Sequence, residues 1–360
     1  MSNPPQSAIQ YGRNNVQPEN QTTANTTGVL DEFQTELASS WRSLPNKGLF
    51  FTLLLAWLAL FQFRGNSILG YVHTSSLFSW MYEAYNSPNV EAANDRIGNL
   101  IPFLVLGIFW WRRRELLALP AKIWPPAFVI VIGAMLLHVT GYVIQEPHLS
   151  IVALFVGIYG LVGLAWGPRW LQATFFPFFL FVFCVPLGNH SDFITTRLRM
   201  LVSWLVEVVA HNVLGIGVIR SGTQLFDPSG AYQYEVAAAC SGIRSLVAIF
   251  LLATVYGFLT FRSNWKRVFM MATAFPLSVL GNLVRMLCII LAAAMGGQSW
   301  GNYVHEGGPL GIFSLLPYIP AILGVIYIGR LLESPTVPEN PKNPGIPENS
   351  EISNLEARAE

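Results

Sequence analysis

Eight apolar runs separated by more polar links dominate the chain and leave it few folds to adopt. They lie at roughly residues 48–63, 99–111, 126–145, 149–167, 170–188, 241–261, 267–295 and 310–330. A helix needs about 20 mostly apolar residues to cross a bilayer. In lipid every backbone N–H and C=O must be paired inside its own element, so runs of this kind read as helices. The expected fold is an all-α integral membrane protein of about eight transmembrane helices. Charged residues make up 11% of the 360 residues, against roughly a quarter in a soluble globular protein. That balance excludes a disordered chain, a coiled coil and a nucleic-acid binder, since no basic face exists to meet phosphates. Three cysteines are too few and too dispersed for a disulfide scaffold or a Cys-based zinc site. The six histidines show no ligand spacing, so neither metal nor cofactor is expected.

The net charge of +1 hides a segregation. One set of inter-span loops carries Arg42, Lys47, Arg112, Arg113, Arg114, Lys122, Arg169, Arg262, Lys266, Arg267 and Arg330, while the opposite set carries Arg64, Arg96, Arg197, Arg199 and Arg220. The excess of Lys and Arg marks the cytoplasmic side. Eight crossings then place both termini in the cytoplasm of a cell whose inner membrane holds the protein. Residues 1–47 read as a polar, largely disordered segment, 48–332 as the membrane domain, and 333–360 as a polar acidic tail. A cleaved leader is not expected, because 47 mostly polar residues precede the first run. Two external segments are long, 64–98 and 189–240. The first contains Thr74–Tyr85, suited to lying flat at the interface. In the second, residues 193–213 read as an amphipathic or half-buried helix. Two short extended runs around Asp227-Pro228-Ser229-Gly230 then read as a small β-hairpin that delivers the chain to the sixth span.

Ionisable groups are expensive in hydrocarbon, so each one near or inside a span invites a functional reading. Cys240 stands where the hairpin meets span six, in Ala239-Cys240-Ser241-Gly242-Ile243-Arg244. Small neighbours leave room for a substrate backbone. A helix N-terminus and Arg244 one turn on both favour the nucleophilic thiolate. Taken alone, such a thiol is more often a small buried hydrophobe, and Cys184 and Cys288 are read that way. Arg285 lies well inside span seven, with Asn282 on the same helix face at i, i+3. A buried guanidinium must meet an anion or carbonyls, and a structural ion pair would serve as well as a substrate. His305 falls in the short external loop before span eight, and a lone loop histidine is usually just solvated. The three groups share the external side or the outer half of the membrane. There a nucleophile, a fixed cation and a proton carrier suit acyl transfer. Ser241 and Gly242 would lend backbone amides to an oxyanion.

At these residues the chain resembles the exosortase/archaeosortase family of multi-pass membrane transpeptidases. The likeness rests on Ala239-Cys240-Ser241-Gly242, on Asn282-x-x-Arg285 preceded by Pro276, and on His305 followed by Gly308, Gly311 and Phe313. It covers about residues 48–332. The resemblance implies Cys240 as nucleophile, Arg285 as an essential cation and His305 in a third position that some members fill with Arg. It also implies a substrate class: exported proteins ending in a Pro-Glu-Pro-like sorting signal, a transmembrane anchor and a basic cluster. These would be cut at the outer face and passed to a surface acceptor. Membrane lipid is the other partner, and nucleic acid is not one. Some members carry a further domain after span eight, and the polar tail here is too short to supply one. Two other readings stay open on the residues themselves. One is a polytopic transporter or non-catalytic component of polysaccharide export, which eight spans, a Pro-containing helix and an intramembrane Arg would also fit. The other is a serine protease using Ser241, which lacks a Gly-x-Ser-x-Gly elbow.

Overall fold

The computed structural model describes residues 27–87, 95–187, 192–236 and 243–333. The chain is mostly helical, with helices α1 (Thr27–Ser43), α2 (Lys47–Arg64), α3 (Leu77–Asn86), α4 (Ile101–Trp111), α5 (Arg113–Leu117), α6 (Phe128–Val143), α7 (Pro147–Trp166), α8 (Pro168–Phe179) and α9 (Asp192–Asn212). Strands β1 (Ile219–Ser221), β2 (Gln224–Phe226) and β3 (Gln233–Glu235) come next, followed by α10 (Ile243–Thr260), α11 (Asn264–His305) and α12 (Tyr318–Leu332).

Among the described residues, five helical segments are long and apolar enough to cross a membrane: Lys47–Arg64, Pro125–Val143, Pro147–Trp166, Asn264–His305 and Gly311–Leu332. The expected count of eight is therefore not reached on length and composition. Runs two and six appear as the shorter apolar helices Arg96–Trp111 and Ser245–Thr260. Run five is broken into α8 and a 3-10 turn at Leu180–Cys184. Pro177 sits just before that change, where its missing N–H and its ring disturb the regular ladder.

Two buried hubs organise the molecule. α7 is the hub of the first half, packing against α2, α6 and α8. Its Gly157 presents a bare backbone to the indole of Trp57, whose Nε1 donates to the Leu154 carbonyl at 3.0 Å. Helix pairs in lipid gain from such close approach more than from apolar area, since lipid is as apolar as leucine. Accordingly, large side chains point outward as well: Leu55 is 71% exposed and Val129 72%. α11 is the hub of the second half. One side packs on α9 and the sheet through Val206, Leu225, Tyr234, Val236, Met286, Ile289 and Ile290. Another side packs on α10 and α12 through Ile249, Met270, Ala274 and Ala321.

Several expectations need correction. The hairpin is a three-stranded antiparallel meander, in which Arg220 pairs with Leu225 and Leu225 with Tyr234. The additional β1–β2 turn is closed by Gly222 at a φ of 63°, a left-handed conformation that glycine adopts without a steric cost. Residues 193–213 do form a helix, α9, tied to the sheet by an Arg220–Glu207 ion pair at 2.9 Å. Residues 74–85 contain α3, one face of which packs inward. Ser76 caps α3 by accepting from the Ser79 N–H at 3.1 Å, and Leu77, Met81 and Tyr85 are buried in the first core. Residues 27–43, inside the stretch expected to be largely disordered, form α1.

Candidate active site

The site is built around a break in α11. The helix runs unbroken from Asn264 past Pro276 and Asn282 to Met295. Gly296 (φ −132°, ψ 15°) and Gly297 (φ 72°, ψ −171°) then leave helical geometry. A straight helix rises about 1.5 Å per residue, which would leave residues twenty apart roughly 30 Å from each other. Instead Arg285 Nη2 donates to the His305 carbonyl oxygen at 3.3 Å. The Gly296-Gly297 break therefore folds the terminal segment 298–305 back along α11. Gly297 makes the reversal possible, since its backbone conformation is closed to most side-chain-bearing residues.

His305 is accordingly not a loop residue. It closes the last helical turn of α11, half-buried. What it offers Arg285 is its backbone carbonyl, while its ring lies nearly parallel to that of Tyr234, with centroids 6.4 Å apart and planes at 26°. Arg285 is half-buried, and its Nε is sealed from solvent with no hydrogen-bond partner among the described residues. An unpaired N–H of a cation in such a place is costly and offers an anionic group a ready donor. Asn282, one turn earlier, is buried at 4% exposure.

Sequence reasoning missed the group that secures the folded-back segment. Gln298, just past the break, mimics a fourth strand on β3. The Gln233 N–H donates to its Oε1 at 2.8 Å, and its Nε2 donates back to the Gln233 carbonyl at 3.2 Å and to Asn302 Oδ1 at 3.1 Å. The Tyr234 hydroxyl donates to the Gln298 carbonyl at 3.0 Å. Burial pushes the Tyr234 phenol up from its ordinary value, so it stays protonated as a donor. Gly301 makes room for it, since a β-carbon there would lie 2.0 Å from the Tyr234 oxygen. A polar residue directly after Gly-Gly was the available signal. Its partner strand, 65 residues upstream, was not visible.

The remaining nominated residues divide. Cys240, Ser241 and Gly242 lie outside the described residues, as does the side chain of Arg244. Both flanks of that segment are described. Upstream, Val236 is fully buried in the cluster that also holds Met286, Ile289 and Ile290 of α11, and its N–H donates to the Thr223 carbonyl at 2.9 Å. Downstream, Ser245 and Ser278 share a buried hydrogen bond at 3.2 Å. Deeper along the pair, Gly257 abuts Met270, so α10 and α11 run antiparallel. Both flanks therefore pack with α11, the helix that carries Arg285. Cys184 is buried, its Sγ 3.7 Å from the Gly98 carbonyl, and Cys288 is half-buried. Among the described residues no three His, Cys, Asp or Glu side chains could hold a metal ion.

The sheet leading into this region is itself braced. Asp227 accepts from Ser229 Oγ, from the Ser229 N–H at 2.9 Å and from the Ala231 N–H at 3.3 Å. These bonds, the Ser229 hydroxyl foremost, hold its carboxyl below the ordinary value.

A family model described as transmembrane exosortase matches residues 90–320. No curated protein and no solved structure matches the chain.

Proposed function

Because the chain belongs to the transmembrane exosortase family, we propose that it is a cysteine-dependent membrane transpeptidase with Cys240 as its nucleophile. One observation carries the reading. The eight residues between Val236, in the buried cluster with Met286, Ile289 and Ile290, and Ser245, bonded to Ser278, are flanked on both sides by groups that pack with α11. Arg285 stands on the same helix, between Ser278 and Met286 in the chain.

The chemistry follows from the three groups. His305 takes the Cys240 thiol proton, and the thiolate attacks the scissile carbonyl carbon. The developing oxyanion meets the Arg285 guanidinium, whose Nε has no partner among the described residues, with Arg244 and the amides of Ser241 and Gly242 as further donors. Collapse breaks the C–N bond, and the leaving amine collects the proton that His305 holds. A thioester on Cys240 remains. An acceptor nucleophile then attacks it, loses its own proton to His305 and releases the thiol. Asn282 positions Arg285 from the same helix face. Proteins with a C-terminal sorting signal, an apolar anchor and a basic end suit such a site. Their anchor packs beside α10 and α11 while the flank of the motif reaches Cys240 at the outer face of the inner membrane.

The test is processing of a purified tripartite substrate by the full chain in vesicles, read by mass spectrometry. Cleavage near the motif that vanishes in Cys240→Ala supports the proposal. Cleavage that survives Cys240→Ala overturns it.

A further inference from the structure

Helix α1 carries an apolar stripe that the other described residues leave about half exposed. Phe33, Leu37 and Trp41 recur every four residues, so they lie on one face of the helix, and they are 46%, 48% and 50% exposed. Asp31, Thr35 and Arg42 fall on the opposite face. In an aqueous setting such a stripe would be a defect or an interface.

The position of α1 says what meets it. Trp41 leans on Phe51 of α2, ring centroids 5.0 Å apart, and Phe51 with Leu55 belongs to the outward apolar surface of that span. At the other end of α1, Phe33 meets Trp110 of α4 at 4.8 Å. Glu36 reaches both Arg113 and Arg114. Arg114 foremost, against some burial and with Arg113 also contributing, holds the Glu36 carboxyl below its ordinary value. Lys47 Nζ donates to the Trp41 carbonyl at 2.8 Å. The helix is thus pinned across the ends of two apolar helices, where their apolar surface gives way to a cluster of Arg and Lys. Its stripe continues the apolar surface of α2.

We propose that α1 is an interfacial helix whose Phe33–Leu37–Trp41 face is seated in the headgroup–acyl boundary of the bilayer. Lipid, not a second protein, is the occupant. The exposed apolar surface of α2 needs lipid around it, and Trp41 is continuous with that surface. Aromatic rings favour this depth, with Trp and Tyr enriched there. The neighbouring cations, Arg42, Lys47, Arg113 and Arg114, sit where headgroup phosphates would lie. This inference stands apart from the chemistry of Cys240 and survives if that chemistry fails.

The experiment uses the full chain in lipid nanodiscs. Spin labels are placed at Leu37→Cys or Thr35→Cys after the native cysteines are replaced. We expect the label at 37 to collide with dissolved oxygen several times more than with a water-soluble nickel chelate, and the label at 35 to show the reverse. Equal nickel access at both positions would overturn the proposal. So would a label at 37 reached by neither reagent and broadened by a second label, which signals packing against another copy. A second reading needs no cysteine replacement. Lipids brominated near the headgroup should quench the component of fluorescence that Trp41→Phe removes, and an unquenched component would contradict the seat.

Discussion

Arg285 and His305 are twenty residues apart on one helix, yet the guanidinium of the first donates to the carbonyl of the second at 3.3 Å. The bond exists because Gly296 and Gly297 turn the chain back. It fixes one end of the guanidinium, while the Nε is sealed from solvent and has no partner among the described residues. Arg285→Lys keeps the charge but loses the planar fork. Turnover should fall by ~10²–10³-fold, the cost of losing one aimed oxyanion donor, with a smaller change in KM. Steady-state kinetics on the reconstituted enzyme checks this, and an unchanged kcat would remove Arg285 from the chemistry.

Gly301 carries a sharp steric prediction. A methyl at Gly301 would meet the Tyr234 hydroxyl at 2.0 Å. Gly301→Ala should therefore destabilise the folded-back segment by ~1–3 kcal/mol, the usual cost of overpacking, and lower Tm. Tyr234→Phe removes the atom in closest conflict, so the double variant should recover part of the loss. A double-mutant cycle of Tm values measures the coupling, and strict additivity would mean the two residues do not touch.

Gly281 makes a contact that cannot yield in the same way. A β-carbon at Gly281 would stand 2.1 Å from the carbonyl oxygen of Pro317, at the start of α12. Main chain moves less readily than a side-chain tip, so Gly281→Ala should push α12 off α11 and cost more stability than Gly301→Ala. Comparing the two unfolding midpoints in one detergent decides the order.

Much of this architecture is readable from residue order, and the unread parts share a cause. Gly296-Gly297 marks the end of the seventh apolar run, and Asp227-Pro228-Ser229-Gly230 marks a turn. Both are local signals, and both turns are present. The direction of the reversal after Gly297 depends on β3 receiving Gln298, a pairing across 65 residues, so His305 reads as a loop residue from sequence. Pro177 is equally local, yet the apolar run around it masks the break. In α1 the four-residue spacing of Phe33, Leu37 and Trp41 is a helical period, diluted by the polar residues between them. Position 240 shows the converse. Its neighbours suggest a nucleophile, and only its flanks have described structure.

The Asp227 turn gives a pH prediction. Its carboxyl is lowered by the Ser229 hydroxyl and the Ser229 and Ala231 N–H groups. A lowered group contributes stability above its unfolded value and loses that contribution as pH falls through the folded value. Exchange protection of the Ser229 and Ala231 amides, corrected for intrinsic rates, should persist through the normal carboxylate range and fade only at more acidic pH. In Asp227→Ala it should be low throughout. Protection insensitive to acid would show that the carboxylate does not hold the turn.

The account depends most on a covalent bond to one sulfur. Incubating the reconstituted full chain with a tripartite substrate, quenching in acid and mapping peptides by mass spectrometry tests it directly. The predicted result is a substrate acyl group on Cys240, released by hydroxylamine, accumulating when no acceptor is supplied, forming more slowly in His305→Ala and absent in Cys240→Ala. Substrate cleaved at the normal rate while Cys240 stays unmodified under every quench, or cleaved equally well by Cys240→Ala, would contradict the account.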